Sequence, residues 1–250
     1  SDVCSSDLSW ETARAAHEQA MERFWDLADV EIDGDERAQR AVRFAIWSNR
    51  HSAPLDDGRS SVGAKNLTGD WYRGAVFWDF DVFQLPLLAA IDPERARNHV
   101  RFRTRRLDGA RRMASQDGYR GARYPGQSYE HGVEDPPCLS GLGRMEIHVT
   151  FEVAWGILHY VALSGDDDFL LDEGLETVLE TTRFWASRIR RDADGSYHLR
   201  GICGPDELHK PVDDNAYMNQ MIAELMRQAD AAVDRCRALD AWRTDALLHR

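Results

Sequence analysis

The sequence predicts an all-α chain: a succession of helices joined by long glycine-rich loops, with one short β-hairpin. Three observations carry this. Apolar residues recur at helical spacing through most of the 250 residues. Helix-start and helix-stop chemistry, such as Asp92-Pro93-Glu94 and Gly165, falls where that spacing begins and ends. Alternation of strand type is confined to a short run after the turn pair Asp194-Gly195.

The elements follow in order. Ser9 caps a stretch with Trp10, Ala13, His17, Ala20, Phe24 and Leu27 on one helical face. A second stretch carries Ala38, Val42, Ala45 and Ile46. Residues 51–74 are glycine-rich and irregular. Residues 81–91 are strongly apolar, and Pro86 inside that run means a kinked or late-starting helix. Asp92-Pro93-Glu94 supplies a cap, a first-turn proline and an acid at the positive end of the dipole, opening a helix to about Gln116. The arginines from Arg95 to Arg112 read as a solvated or ion-paired face, because the rest of the chain is acidic. Residues 118–143 form a loop rich in Gly and Pro. Residues 146–163 are helical, with Val149, Val153, Ile157 and Tyr160 on one face, and Gly165 fits a left-handed stop. A helix over about 174–190, a weak strand over 196–203 and a last helix from about Asp214 to Leu239 complete the series. No repeat of solenoid length is visible. Loops of this length in a compact domain are usually functional.

Composition narrows the classes. Net charge is −12, or −10 once two aspartates of the N-terminal octapeptide are set aside, which argues against nucleic acid or an anionic membrane surface as partner. No apolar run reaches the ~18 residues of a membrane helix. Cys138, Cys203 and Cys236 are widely spaced and form neither a disulfide framework nor a metal pair, so a reduced, cytoplasmic setting is expected. Residues 1–8 back-translate as TCA-GAC-GTG-TGC-TCT-TCC-GAT-CT, a string that looks like a short-read sequencing adapter. They are expected to be a non-native tail, on a chain that has no initiator Met and is itself expected to be a fragment.

The most informative string is Gly204-Pro205-Asp206-Glu207-Leu208-His209, followed by Asp214-Asn215-Ala216-Tyr217. Adjacent carboxylates on a stiff turn between two elements suit the proton donor of a glycoside-cleaving enzyme. Together with Gly63-Ala64-Lys65-Asn66-Leu67, Phe77-Trp78-Asp79 and Leu107-Asp108-Gly109-Ala110-Arg111, in this order, the string resembles glycoside hydrolase family 65. That family contains the maltose, trehalose and kojibiose phosphorylases and their hydrolytic relatives. The resemblance implies a helical linker over residues 9–35 and a partial (α/α)6 barrel, roughly the first half to two-thirds, over 36–250. It implies inverting cleavage of an α-linked disaccharide, with Glu207 as general acid. Inorganic phosphate would be co-substrate and nucleophile, with no other cofactor and no metal. In hydrolytic relatives a base carboxylate replaces phosphate. Either second component is expected in the later part of the barrel, so the isolated 250 residues are expected to be inactive. A non-catalytic, sugar-binding helical module is the reading from another class, and a homodimer is an open option at full length.

The same resemblance makes Trp78, Asp79, Gln127, Asp206, His209 and Asn215 substrate-binding residues. Each has a plainer alternative. Trp78 could be core, Asp79 or Asn215 a helix cap, and His209 with Cys203 and His198 fits no usual zinc spacing. Burial and Asp206 are expected to raise the proton affinity of Glu207. Many relatives carry Pro-Trp-Glu-Ser where this chain has Pro125-Gly126-Gln127-Ser128. The change removes a stacking surface and a charge, so the bound sugar need not be glucose. Phe80-Asp81 stands where Thr-Glu is frequent, a milder change. The stretch from Tyr129 to Pro137 is expected to rebuild the pocket, with His148, Glu130 and Glu134 as further polar candidates.

Overall fold

The computed structural model describes residues 9–69, 71–134 and 142–249. The expected tail, residues 1–8, lies outside them, as do Cys138 and Asp135-Pro136-Pro137 of the expected pocket-rebuilding stretch. The chain divides into two compact units, Ser1–Ser48 and Asn49–Arg250.

In the first unit, α1 (Trp10–Ala28) starts at Ser9, whose hydroxyl accepts from the Thr12 amide at 3.2 Å. The expected apolar stripe is used only at its end: Phe24 and Ala28 are buried, while Trp10 and Leu27 stay exposed. The start of α2 (Glu36–Ser52) is tied back to the end of α1 by Arg43, which grips both oxygens of Asp29, and by Gln39, which bonds Val30 and Ile32.

In the second unit, a π-turn (Phe80–Gln84) runs into α3 (Leu85–Ile91), with Pro86 in the first turn where its missing N–H costs nothing. The late start expected from Pro86 is therefore the observed one. The expected single helix to Gln116 is two, α4 (Pro93–Thr104) and α5 (Leu107–Gln116). The break lies at Arg106, whose guanidinium donates to the carbonyls of Gly58, Arg59 and Tyr129 and lies over the Phe102 ring. The arginine face also departs from expectation. Arg97, Arg101 and Arg111 pair with Asp166, Glu173 and Glu176 as surface ion pairs, but Arg103 and Arg106 turn into the core.

Helix α6 (Val149–Ser164) is buried on most sides and packs against α3, α4, α8 and α9, as an apolar helix should. Gly165 ends it in the left-handed region at φ 71°. After the short α7 (Asp167–Phe169) and a second π-turn (Leu170–Gly174), α8 (Leu175–Arg188) follows. Gly121, at φ 76°, seats the preceding loop on α8: a Cβ there would lie 2.2 Å from the Glu180 carbonyl oxygen.

Strand β1 (Arg190–Arg191) pairs antiparallel with β2 (Tyr197–His198). The expected strand over 196–203 is thus only two residues long. Asp214 ends the ladder, because its carboxylate takes the Leu199 amide at 2.8 Å. Helix α9 (Ala216–Leu239) and an unanticipated α10 (Ala241–Leu248), packed on it, finish the described chain.

Candidate active site

A cavity of about 610 Å³ opens in the second unit, within the range that accommodates a small ligand. Trp78, Asp79, Gln127, Glu146 and Glu207 are on its wall. Four stretches distant in sequence meet there.

The first is the run into the π-turn. Trp78 is half-buried, its indole edge against the His148 ring at 5.3 Å and tilted on Phe83 at 5.4 Å. Asp79 makes no capping bond and is exposed to the cavity, so the helix-cap alternative is not what its side chain does. The second stretch, residues 124–129, is fastened to the first by reciprocal backbone bonds between Val76 and Ser128 at 3.0 and 2.9 Å. Arg103 crosses beneath both. It grips both carboxylate oxygens of Asp81, donates to the Phe77 carbonyl at 3.0 Å and to the Ser128 hydroxyl at 2.6 Å. His99 bonds Asp81 at 2.9 Å from the other side. Burial alone would push the Asp81 carboxyl up, but Arg103 and His99 outweigh it and hold it below the ordinary carboxylate range. This brace fixes where Trp78, Asp79 and Gln127 stand. Gln127 accepts from the Tyr129 hydroxyl at 3.1 Å and lines the cavity.

The third stretch is the loop that presents Glu207. Ile202 and Val212 exchange backbone bonds at 3.0 and 2.9 Å and close its base. Asp206 shapes the tip, accepting from the Leu208 amide at 3.0 Å and pairing with the His209 ring at 2.6 Å. Glu207 is exposed and faces the cavity. The expected burial of Glu207 is therefore not found, and Asp206 is turned to His209 instead of pressing on it. Asp206 and His209 are both exposed and neither lines the cavity. Asn215 caps α9, accepting from the Met218 amide at 3.1 Å, and is likewise off the cavity wall.

The fourth stretch, Glu146-Ile147-His148, leads into α6. The Cys203 amide donates to the Met145 carbonyl at 3.0 Å, which lays this stretch beside the Glu207 loop. Glu146 shares the cavity wall with Glu207, and burial, followed by the Glu207 charge, pushes its carboxyl up to about 7. Sequence reasoning treated residue 146 only as the start of a helix. The available signal was two titratable side chains, Glu146 and His148, directly before a largely apolar helix. His148 is buried and bonds Glu152 at 2.9 Å, and Tyr217 donates to the same carboxylate at 3.1 Å.

The glycine that replaces Trp in Pro125-Gly126-Gln127-Ser128 has a local reason. A Cβ at position 126 would lie 3.0 Å from Glu146 Oε2 and 3.8 Å from Glu134 Oε1, so carboxylates occupy the space beside it. Glu134 is half-buried there, and Glu130 is exposed. Among the described residues no group of three or more His, Cys, Asp or Glu is arranged to hold a metal, and no helix is long and apolar enough to cross a membrane.

Comparison with known proteins identifies the family. Residues 43–246 match the family model described as the glycosyl hydrolase family 65 central catalytic domain. A kojibiose phosphorylase from Caldanaerobacter subterraneus subsp. tengcongensis is 39% identical over 214 residues, 81% of this chain and 28% of its own length. A kojibiose hydrolase from Flavobacterium johnsoniae is 32% identical over 203 residues, 81% of this chain and 30% of its own. A solved structure, described as a candidate kojibiose phosphorylase from the human microbiome, superimposes with a TM-score of 0.83 at 25% identity, covering 95% of this chain and 37% of its own. The chain spans about three-tenths of the length of these curated relatives. The helices are those of part of an (α/α)6 barrel. The chain belongs to glycosyl hydrolase family 65, within the central catalytic domain of that family.

Proposed function

We propose that the intact protein cleaves an α-glucosidic bond of a disaccharide with inversion, by phosphorolysis. Glu207 gives its proton to the glycosidic oxygen as the C1–O bond breaks, and that oxygen leaves with the bonding electron pair. An oxygen of inorganic phosphate bonds to C1 from the opposite face, giving a β-sugar 1-phosphate and the free acceptor sugar. Trp78 offers an indole face to the sugar C–H groups, and Asp79 and Gln127 take its hydroxyls. Asp206 and His209 serve by holding the tip of the Glu207 loop, and Asn215 by starting the helix behind it.

The observation that supports this most is one carboxyl, Glu207, at the apex of a bridge-closed loop on the same cavity wall as Trp78 and Asp79. An exposed acid on a braced loop is suited to meet an oxygen that projects from the bound sugar. Metal assistance has no counterpart in this reading, which needs only phosphate as co-substrate. Glu207→Gln in the intact protein is expected to lower turnover of a disaccharide by ~10²–10⁴-fold with sugar binding kept. A variant within a few-fold of wild type would remove Glu207 from this role. The second reading is hydrolysis, favoured by the kojibiose hydrolase among the relatives, which matches the same share of the chain. In it a protein carboxylate activates water in place of phosphate.

A further inference from the structure

The exposed position of Glu207 raises a problem that the proposed chemistry must meet. A general acid must hold a proton when the sugar arrives, and an exposed side chain has water rather than fixed protein groups around it. Glu146 is the feature of the cavity that answers it.

Three observations converge. Glu146 and Glu207 line the same cavity, and the Glu207 charge acts on the Glu146 carboxyl. Two carboxyl groups brought together on one wall repel as carboxylates and can share a hydrogen bond only when one carries a proton. Next, the contact is built into the backbone: the Cys203–Met145 bond sets the two stretches side by side, one residue from Glu146 and four from Glu207. Last, Gly126 leaves room that Glu146 fills, its Oε2 being 3.0 Å from where a Cβ would stand. A tryptophan at that position would contest the space.

We infer that Glu146 is the proton-holding partner of Glu207, a positioning residue that keeps one proton on the pair at neutral pH and delivers it to Glu207 when the glycosidic oxygen docks. The inference rests on Glu207 as the acid. At rest the proton lies on Glu146, bonded to the Glu207 carboxylate. On substrate binding it moves to Glu207 and then to the leaving oxygen as the C1–O bond breaks, which leaves both carboxylates ionised. The attacking monohydrogen phosphate gives up its own proton on forming the C1–O bond, and that proton restores the pair.

The surroundings favour this over two permanent charges. Other charged or titratable groups that face the pair are Glu134, Asp79, Lys65 and His148, with the Cys203 thiol behind the loop. Counting the pair itself, acids outnumber bases there, and burial keeps the Glu146 carboxyl far above the ordinary range, at about 7. The pair therefore holds its proton below that pH and loses it above.

The test compares Glu146→Gln, Glu146→Asp and Glu207→Gln in the intact protein. Two substrates are used with phosphate: an α-linked disaccharide, whose leaving oxygen needs a proton, and α-glucosyl fluoride, whose fluoride does not. Wild type should show an alkaline limb near pH 7 for the disaccharide. Glu146→Gln keeps a hydrogen-bonding group but no titrating proton. It should move that limb acidward by roughly 1–2 pH units, with KM within two-fold and glucosyl fluoride turnover within about three-fold. Glu146→Asp, which titrates but falls short of Glu207, should show the same acidward limb. An unmoved limb in Glu146→Gln overturns the inference. So does a KM rise that affects both substrates alike, which would make Glu146 a sugar ligand. If instead Glu207→Gln retains disaccharide turnover, the assignment of the acid fails, and that outcome is distinct from either Glu146 result. Matching thermal melts of the variants guard against simple misfolding.

Discussion

Removing the Arg103 guanidinium should loosen the substrate wall without touching a residue that lines it. In Arg103→Met the Asp81 carboxylate keeps its burial, at 1% exposure, and loses its counter-charge. His99 is no substitute, because burial first of all holds its ring below the usual imidazole range, although Asp81 pulls the other way. Breaking a buried pair by removing one partner costs about 3–5 kcal/mol, and with both side chains 1% exposed no discount for solvent screening applies. The bonds to Phe77 O and Ser128 Oγ go as well, which concentrates the loss on the Val76–Ser128 junction. At a tenfold change per ~1.4 kcal/mol, the amides of Val76 and Ser128 should exchange with solvent up to ~10²–10⁴-fold faster. The assay is amide hydrogen exchange of the intact protein over residues 75–81 and 124–129, with sugar KM alongside. KM should rise as Trp78, Asp79 and Gln127 lose their fixed positions. Asp81→Leu combined with Arg103→Met removes both charges and should recover most of the protection. The reasoning is refuted if Arg103→Met exchanges like wild type, or if the double variant is worse than the single.

Three further outcomes separate the residues of the Glu207 loop from those around it. Asn215→Ala should cost about 1 kcal/mol through the lost cap of α9, measured by denaturant midpoint, with Asn215→Ser restoring most of it and KM unchanged in both. A KM that rises in Asn215→Ser as well would return Asn215 to the substrate. His209→Ala should lower kcat by only a few-fold, since it frees Asp206 without removing a cavity wall; loss on the scale of Glu207→Gln would make His209 part of the chemistry. Gly121→Ala should unfold the loop from α8 or fail to accumulate, because a Cβ at φ 76° would stand 2.2 Å from a backbone oxygen; a normal melt would contradict the packing described here.

Helix order was legible in the sequence because caps and apolar spacing are local. Ser9, Asp92, Gly165 and Asn215 each start or stop a helix within a residue or two of where their chemistry says they should. The break at Arg106 was not legible, since it is set by carbonyls of Gly58, Arg59 and Tyr129 that only the fold brings near. Arg103 shows the same limit. In a run of arginines on an acidic chain nothing distinguishes the one that faces Asp81. The strand over 196–203 was overread because the acid that ends it, Asp214, lies beyond the alternating run. The site divides similarly. Trp78, Asp79, Gln127 and Glu207 could be named from motif strings, and the structure brings all four to one cavity. Asp206, His209 and Asn215 share a string with Glu207 but face other ways, because adjacent residues on a turn point to different sides. Glu146 belongs to no such string, and the backbone bond that joins residues 145 and 203 is what brings it to the Glu207 loop.

The central claim is cleavage with phosphate as the attacking group. It is tested most directly by incubating the intact protein with a panel of α-linked glucose disaccharides, with and without inorganic phosphate, and following sugar 1-phosphate and its anomeric form. The expected result is phosphate-dependent release of a β-sugar 1-phosphate. Free sugars formed equally without phosphate would contradict phosphorolysis and make the protein a hydrolase, and sugar binding with no cleavage under either condition would contradict the assignment of Glu207 as an acid.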